Sequence, residues 1–201
     1  MADLAWPMAG RRVPGSLNWI LASNGMEFTS PLTGSVQSSE LPGARWKCSF
    51  TMKAVAGDDA DAFRALLARL RGKANSVLLH AMDRPTPKGT IALAGVTLGA
   101  AASAGATSVQ LAGCGAGATL KTGDYFGVAG ELKLCVATAT ADGAGAMSVT
   151  FEPAARADWA NGAAVTLARP TARFMATGLE AGWEVRAPLL STFDFDLVER
   201  F

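Results

Sequence analysis

The one histidine of this 201-residue chain, His80, sits in an apolar run, SVLLHA, with no cysteine or carboxylate near it at metal-ligand spacing. A catalytic triad or a zinc site would have to use it, so the reading is a structural histidine. Gly113-Cys114-Gly115-Ala116-Gly117 has the glycine content of a phosphate-cradling loop. It lacks the terminal Gly-Lys-Ser/Thr and opens no helix after a strand, so a turn is expected. Asp194, Asp196 and Glu199 could gather a divalent cation, but Asp194 and Asp196 share one face of a strand without a loop of oxygen ligands. That face is expected to be solvated or to form an interface. Cys48, Cys114 and Cys135 are odd in number and far apart, which predicts buried free thiols. No pair of carboxylates can be nominated for glycoside hydrolysis. The residues therefore predict no enzyme, no cofactor and no metal.

What must hold these residues is mostly strand and turn. The clear exception is Asp58 to Lys73, where Phe63, Leu66, Leu67 and Leu70 recur at helical spacing on one face. Asp58, Asp59 and Asp61 are placed to cap its start, Arg69, Arg71 and Lys73 gather at its end, and Gly72 supplies a left-handed stop. Burying the four apolar residues is worth about 1.5–3 kcal/mol each, more than the propensity of so short a helix, so it needs a sheet to lie against.

Composition divides the chain. Residues 96–167 hold 11 of its 22 glycines and few charges, with strands expected at Ser108 to Leu111, Tyr125 to Val128, Glu131 to Thr138, Met147 to Phe151 and Ala164 to Leu167. Thr122-Gly123-Asp124, Ala129-Gly130 and Asp142-Gly143 supply turns, and a small antiparallel barrel or sandwich follows. In the flanks, Trp46, Cys48, Phe50 and Met52 alternate with polar residues and lead into the helix. Ser76 to Ala81 reads as a more central strand, and Ala172 to Ala176, Trp183 to Ala187 and Thr192 to Val198 as three more. Too few to stand alone, these last strands must return to the first sheet. The expected fold is mainly β: a β-sandwich with one packed α-helix, built from 1–95 and 168–201, with an inserted β module at 96–167. Insertion costs little, roughly 4 kcal/mol of loop closure for a floppy segment of that length.

The first 43 residues are read as a hairpin around Ser23-Asn24-Gly25, where Asn-Gly suits a two-residue turn, followed by a polar segment from Ser35 to Glu40. A polar extended hairpin is either an edge hairpin or an arm that reaches a neighbour.

A formal charge of +1 and the lack of a polybasic run argue against nucleic acid or membrane surfaces as main partners, Arg11 and Arg12 being an isolated pair. No run approaches the roughly 20 apolar residues of a membrane span, and MADLAWPMAGRRV carries no secretory signal pattern. Five tryptophans and little chemistry point to work done by surfaces. Trp6 and Trp19 are nominated as interface anchors beside Asp194 and Asp196, with a core or edge-packing role as the equal alternative for each tryptophan.

Three stretches carry a resemblance: GMEFTSPLTGSVQSSELPGARWKCSFTMKAV with the helix DDADAFRALLARLRGKANSVLLHAMDRPTPKGT; TLKTGDYFGVAGELKLCVATATADGAGAMSVTFEPAAR; and ARPTARFMATG to STFDFDLVERF. Together they resemble distal tail proteins of long-tailed, siphovirus-like bacteriophages, whose core shares the sandwich-plus-helix plan of tail-tube subunits. The resemblance implies a virion protein made in the host cytoplasm. It would form a ring, usually of six copies, at the tail tip or baseplate, joining the tail-tube protein to the hub and touching the tape-measure protein. The extra C-terminal carbohydrate-binding or adaptor domain of larger members has no counterpart up to Phe201. Competing readings are a tail-tube or tail-terminator subunit, a carbohydrate-binding module using Trp159 or Trp183, and, weakest, a peptidoglycan hydrolase.

Overall fold

A computed structural model describes residues 2–7 and 14–201; Arg11 and Arg12 lie outside the described residues. The first part of the chain gives β1 (Asp3–Ala5), β2 (Ser16–Thr29), β3 (Val36–Val55), α1 (Gly57–Leu70) and β4 (Ser76–His80). The middle gives β5 (Thr97–Leu98), β6 (Ser108–Ala112), β7 (Thr119–Leu120), β8 (Tyr125–Val128), β9 (Glu131–Cys135), β10 (Ala139–Thr140), β11 (Met147–Glu152) and β12 (Val165–Thr166). The last part gives β13 (Thr171–Ala176), β14 (Glu184–Arg186) and β15 (Leu190–Glu199). The protein is mainly β, with one helix among the described residues.

The two ends of the chain share one seven-stranded sheet in the order β1-β4-β13-β15-β3-β2, with β14 paired to β15. Strand β15 joins the ends, running antiparallel to β3 from Ser191 opposite Val55 to Val198 opposite Lys47. The period-two pattern decides the faces: Trp46, Cys48, Phe50 and Met52 of β3 and Phe193, Phe195 and Leu197 of β15 are buried, while Lys47, Lys53, Asp194 and Asp196 point to solvent. Helix α1 lies on the apolar face and buries Phe63, Leu66, Leu67 and Leu70 together with Ala60.

Both ends of α1 differ from the sequence expectation. Its N-cap is Ala56 with no side-chain cap, so Asp58 and Asp59 act only as first-turn charges facing the positive end of the helix dipole. The helix stops at Leu70 because Arg71 already adopts the left-handed conformation, with Gly72 following in it.

The middle segment forms a six-stranded sheet, β12-β8-β9-β11-β6-β5, that curls towards a barrel. Its ends are joined by the Thr97–Ala164 bridge and by backbone bonds from Leu98 N to Ala163 O (2.9 Å) and from Val165 N to Val96 O (3.0 Å). In the β8–β9 hairpin, Ala129 and Gly130 both take positive φ and Val128 faces Glu131 across a two-residue turn. At the Asp142-Gly143 turn the positive φ falls on Gly145 instead. The barrel has its own core, with Leu120, Phe126, Val149, Phe151 and Trp159 at its heart, and that core begins at Ile91, before the composition shift.

Candidate functional site

Two features stand apart from ordinary packing: a projecting ribbon and the junction beside it.

The ribbon corrects the reading of the N-terminal hairpin. Strand β2 runs straight through Ser23-Asn24-Gly25, with only an irregularity between Ala22 and Asn24, and pairs with β3 down to Thr29 opposite Val36. The reversal falls at Ser30 to Ser35, closed by Ser30 N to Ser35 O (2.8 Å) and Gly34 N to Ser30 O (2.9 Å), with Gly34 at positive φ. Asn24 serves the ribbon in another way, its amide nitrogen donating to Pro42 O across the irregularity (2.7 Å). Because β3 meets β15 only from Lys47 onward, the stretch back to Val36 has no strand partner but β2 among the described residues, and at 3.3 Å per residue it spans roughly 35 Å.

Register sorts the ribbon's side chains. Asn24, Met26 and Phe28 share a face with Leu41, Ser39 and Gln37, while Gly25, Glu27 and Thr29 share the other with Glu40, Ser38 and Val36. The first face is uncharged and carries Met26, Phe28 (64% exposed) and Leu41; the second carries both carboxylates. An isolated two-stranded ribbon is marginal in water, and this one leaves an apolar face bare. Among the described residues no strand pairs with the outer edge of β2, which holds no Lys or Pro to protect it.

The junction holds the barrel against the main sheet. The Trp46 indole lies edge-on to Tyr125 and its Nε1 donates to Leu132 O (3.0 Å), while its backbone N donates to Glu199 Oε2 (3.0 Å). Arg156 of the barrel grips Glu199 with both terminal nitrogens, Nη1 at 2.8 Å from Oε1, and Nη2 also reaches Ala44 O (3.1 Å). Phe201 stacks on that guanidinium, 4.2 Å from ring centre to Cζ. Behind it, Glu131 binds Lys133 Nζ at 2.7 Å, accepts from Arg156 N, and lies 3.4 Å from Trp159 Nε1. Burial lowers the Lys133 pKa from the usual lysine range, and Glu131 opposes that shift.

At the barrel's other contact, buried Asp124 accepts from Lys121 N (2.7 Å), Lys88 N (2.9 Å), Gly89 N (3.2 Å) and Arg84 Nη1 (3.3 Å), fixing the exit loop after β4. Gly89 passes so close to Thr119 that an added Cβ would lie 1.9 Å from its carbonyl oxygen. Burial, with Asp83 nearby, pushes the Tyr125 phenol up to about 12, partly offset by Arg84.

The structure sorts the residues singled out from sequence. Trp6 is 7% exposed and meets Phe50, Phe63 and Phe195 edge-on, so it is a core residue and offers no surface anchor. Trp19 is half-buried on β2 against Trp46 and Phe174. Asp194 and Asp196 are on the outer face of the sheet, where Asp194 Oδ1 accepts from Thr51 Oγ1 (2.6 Å). Glu199 points to the opposite, buried side, so the three acids do not converge. His80 is buried at the end of β4 and its pKa is lowered by burial and by Arg169. All three cysteines are buried and unpaired, with their thiols pushed up by burial. Cys114 sits in a glycine turn tied by Cys114 N to Gly145 O (3.0 Å) and by Ala92 N to Cys114 O (3.3 Å). Trp159 is buried and cannot serve as a sugar platform, whereas Trp183 is 45% exposed over Arg64. Among the described residues no group of three His, Cys, Asp or Glu side chains could hold a metal ion, and no helix is long and apolar enough to cross a membrane.

Sequence reasoning missed the ribbon's apolar face and the Arg156–Glu199 clamp. The alternation of Met26 and Phe28 with Glu27 and Thr29 carried the first signal but was cut by treating Asn24-Gly25 as a turn. The clamp joins residues far apart in the chain and has no local signature. No family model matches the chain, and no curated protein sequence matches it.

Proposed function

We propose that this protein is a structural virion component that forms a ring of about six copies at the distal end of a phage tail, linking the tail tube to the hub. The number of copies and the neighbours come from the resemblance stated above. The observation that carries the assembly reading is the amphipathic ribbon, whose Met26, Phe28 and Leu41 face requires a covering surface. The mainly β plan with one helix on the sheet agrees with the core plan that the resemblance implies. The clamped barrel fits a rigid spacer carried by every copy, with Arg156–Glu199 and Trp46–Leu132 fixing its pose.

The test is placement in the particle. Gold-labelled antibody raised against this chain should mark one end of the tail in electron micrographs. Label along the whole tail would favour a tube subunit, label at the head-proximal end a terminator, and no label on any particle would remove the virion reading.

A further inference from the structure

Alternation on β3 sends Trp46 and Cys48 into the core and turns Arg45 and Lys47 to the opposite face of the sheet, two residues and roughly 6.6 Å apart. A third cation arrives at the same place by another route. After α1 the chain turns through Ala74 N to Arg71 O (3.3 Å) and Asn75 N to Leu70 O (3.1 Å), and Lys73 on that turn lines the same hollow as Arg45 and Lys47. Arg200, just past β15, donates from Nη1 to Lys73 O (3.2 Å) and sets a fourth positive charge beside it. The four come from three separate segments, so no basic run in the sequence marks the place.

The hollow has a volume of about 480 Å³, an apolar wall of Ala22, Met175 and Val198, and no carboxylate in its lining. Glu40, Glu180 and Asp196 line other hollows. Of these, Asp196 is the nearest by register, opposite Ser49 and so diagonal to Lys47, and it leaves the cations in clear excess. Among the described residues, the side chains of Arg45, Lys47 and Lys73 have neither a hydrogen bond nor an ion pair, whereas Arg64, Arg84, Lys133, Arg156, Arg173 and Arg186 each meet a carboxylate. Phe201 stacks on Arg45, 4.8 Å from ring centre to Cζ, which steadies the guanidinium and leaves its charge in place. Like charges gathered with no acid between them repel, and a multiply charged anion relieves that repulsion.

We infer that this hollow is a binding site for a diphosphate group, free or esterified to a small organic body. The Arg45 guanidinium offers a planar fork that matches phosphate oxygens at two points, and Lys47 and Lys73 add point charges. A compact anion with several charges engages all three cations at once, which a single carboxylate does not. The apolar wall gives an attached organic body a place to lie. Because the cations ring one hollow and form no stripe, a nucleic-acid strand finds no track across the surface. The site needs only one copy of the chain and stands apart from the ring reading.

The experiment is calorimetric titration of the full-length protein at low salt. Pyrophosphate should bind saturably, one per chain, and more weakly as salt is raised to about 0.3 M. Arg45→Gln should weaken binding about fivefold or more, Lys47→Gln and Lys73→Gln about two- to fivefold each, and the three together should abolish it. Lys53→Gln, which removes an exposed cation of the same strand outside the hollow, should change nothing. The three side chains are exposed or half-buried, so thermal melting without ligand should stay as in the wild type, which separates lost binding from lost fold. ADP bound as tightly as pyrophosphate assigns the site to the diphosphate alone, tighter binding of ADP adds the apolar wall as a seat for the organic body, and weaker binding restricts the site to the free anion. Pyrophosphate bound no better than sulfate, binding that survives in the triple variant, or an equal loss in Lys53→Gln would overturn the site. Tighter binding of an oligothymidylate, with several chains on one strand, would replace the diphosphate by nucleic acid and overturn it as well.

Discussion

Replacing Glu199 by alanine should unfold this protein far more easily than its single missing carboxylate suggests. Glu199 is 1% exposed at the side chain and accepts three hydrogen bonds, two from Arg156 and one from Trp46 N. Arg156 is 13% exposed, so Glu199→Ala strands a guanidinium whose remaining acceptor is Ala44 O and leaves the Trp46 N–H without a partner. Breaking a buried pair from one side costs about 3–5 kcal/mol, so about 4 kcal/mol is expected here. With a urea slope near 3 kcal/mol/M, that moves the unfolding midpoint down by about 1.3 M. The double change Arg156→Met with Glu199→Leu removes both charges but still leaves the Trp46 N–H unpaired, so it should lose about 1–3 kcal/mol, less than the single change. Tryptophan fluorescence follows both cores, since Trp46 and Trp6 report the main sheet and Trp159 the barrel. A loss below about 1 kcal/mol in Glu199→Ala, or a double variant as damaged as the single one, would refute the reasoning that an uncompensated buried charge dominates this site.

Four further outcomes follow from the same structure. Trp6→Ala should cost about 3–5 kcal/mol in chemical denaturation, because it empties the space between Phe50, Phe63 and Phe195; a near-neutral effect would return Trp6 to the surface. Gly89→Ala should destabilise by more than about 1 kcal/mol in the same assay, since the new methyl meets backbone at Thr119 and cannot push it aside. His80 has a lowered folded pKa, so the unfolded chain binds its proton first. The stability His80 confers is whole above pH 6.5 and falls as the pH drops below it, and denaturation midpoints of His80→Gln should fall less steeply there than those of the wild type. The pair Met26→Ser and Phe28→Ser should change thermal stability by less than about 1 kcal/mol while weakening self-association, because both side chains touch solvent in the single copy.

How far the sequence reached depended on how local each signal was. The helix face was legible because Phe63, Leu66, Leu67 and Leu70 follow a single period over a single stretch, and the alternation from Trp46 to Met52 named the buried side of β3. Helix ends were less so: the stop belongs to Arg71, a residue no propensity assigns to a left-handed position. The Asn24-Gly25 turn failed because pairing with β3 across an irregularity gave the same residues an extended conformation, and tertiary pairing outweighs local turn preference. Trp6 looked peripheral because three residues of parallel β1 carry no readable pattern. Pairing of β1 with β4 at Ser76 to Leu78 anchors the segment, and Phe50, Phe63 and Phe195 pack against Trp6. The junction was invisible for a deeper reason, since Arg156, Glu199, Trp46 and Ala44 meet only once the barrel is docked, and no spacing in the chain announces it.

Copies of this chain are proposed to assemble through specific surfaces. Native mass spectrometry of the purified full-length protein across a concentration series tests it most directly. A closed species of one defined size, about six copies, that persists on dilution is the expected result. A single-copy mass at every concentration, with the fold intact, would contradict it.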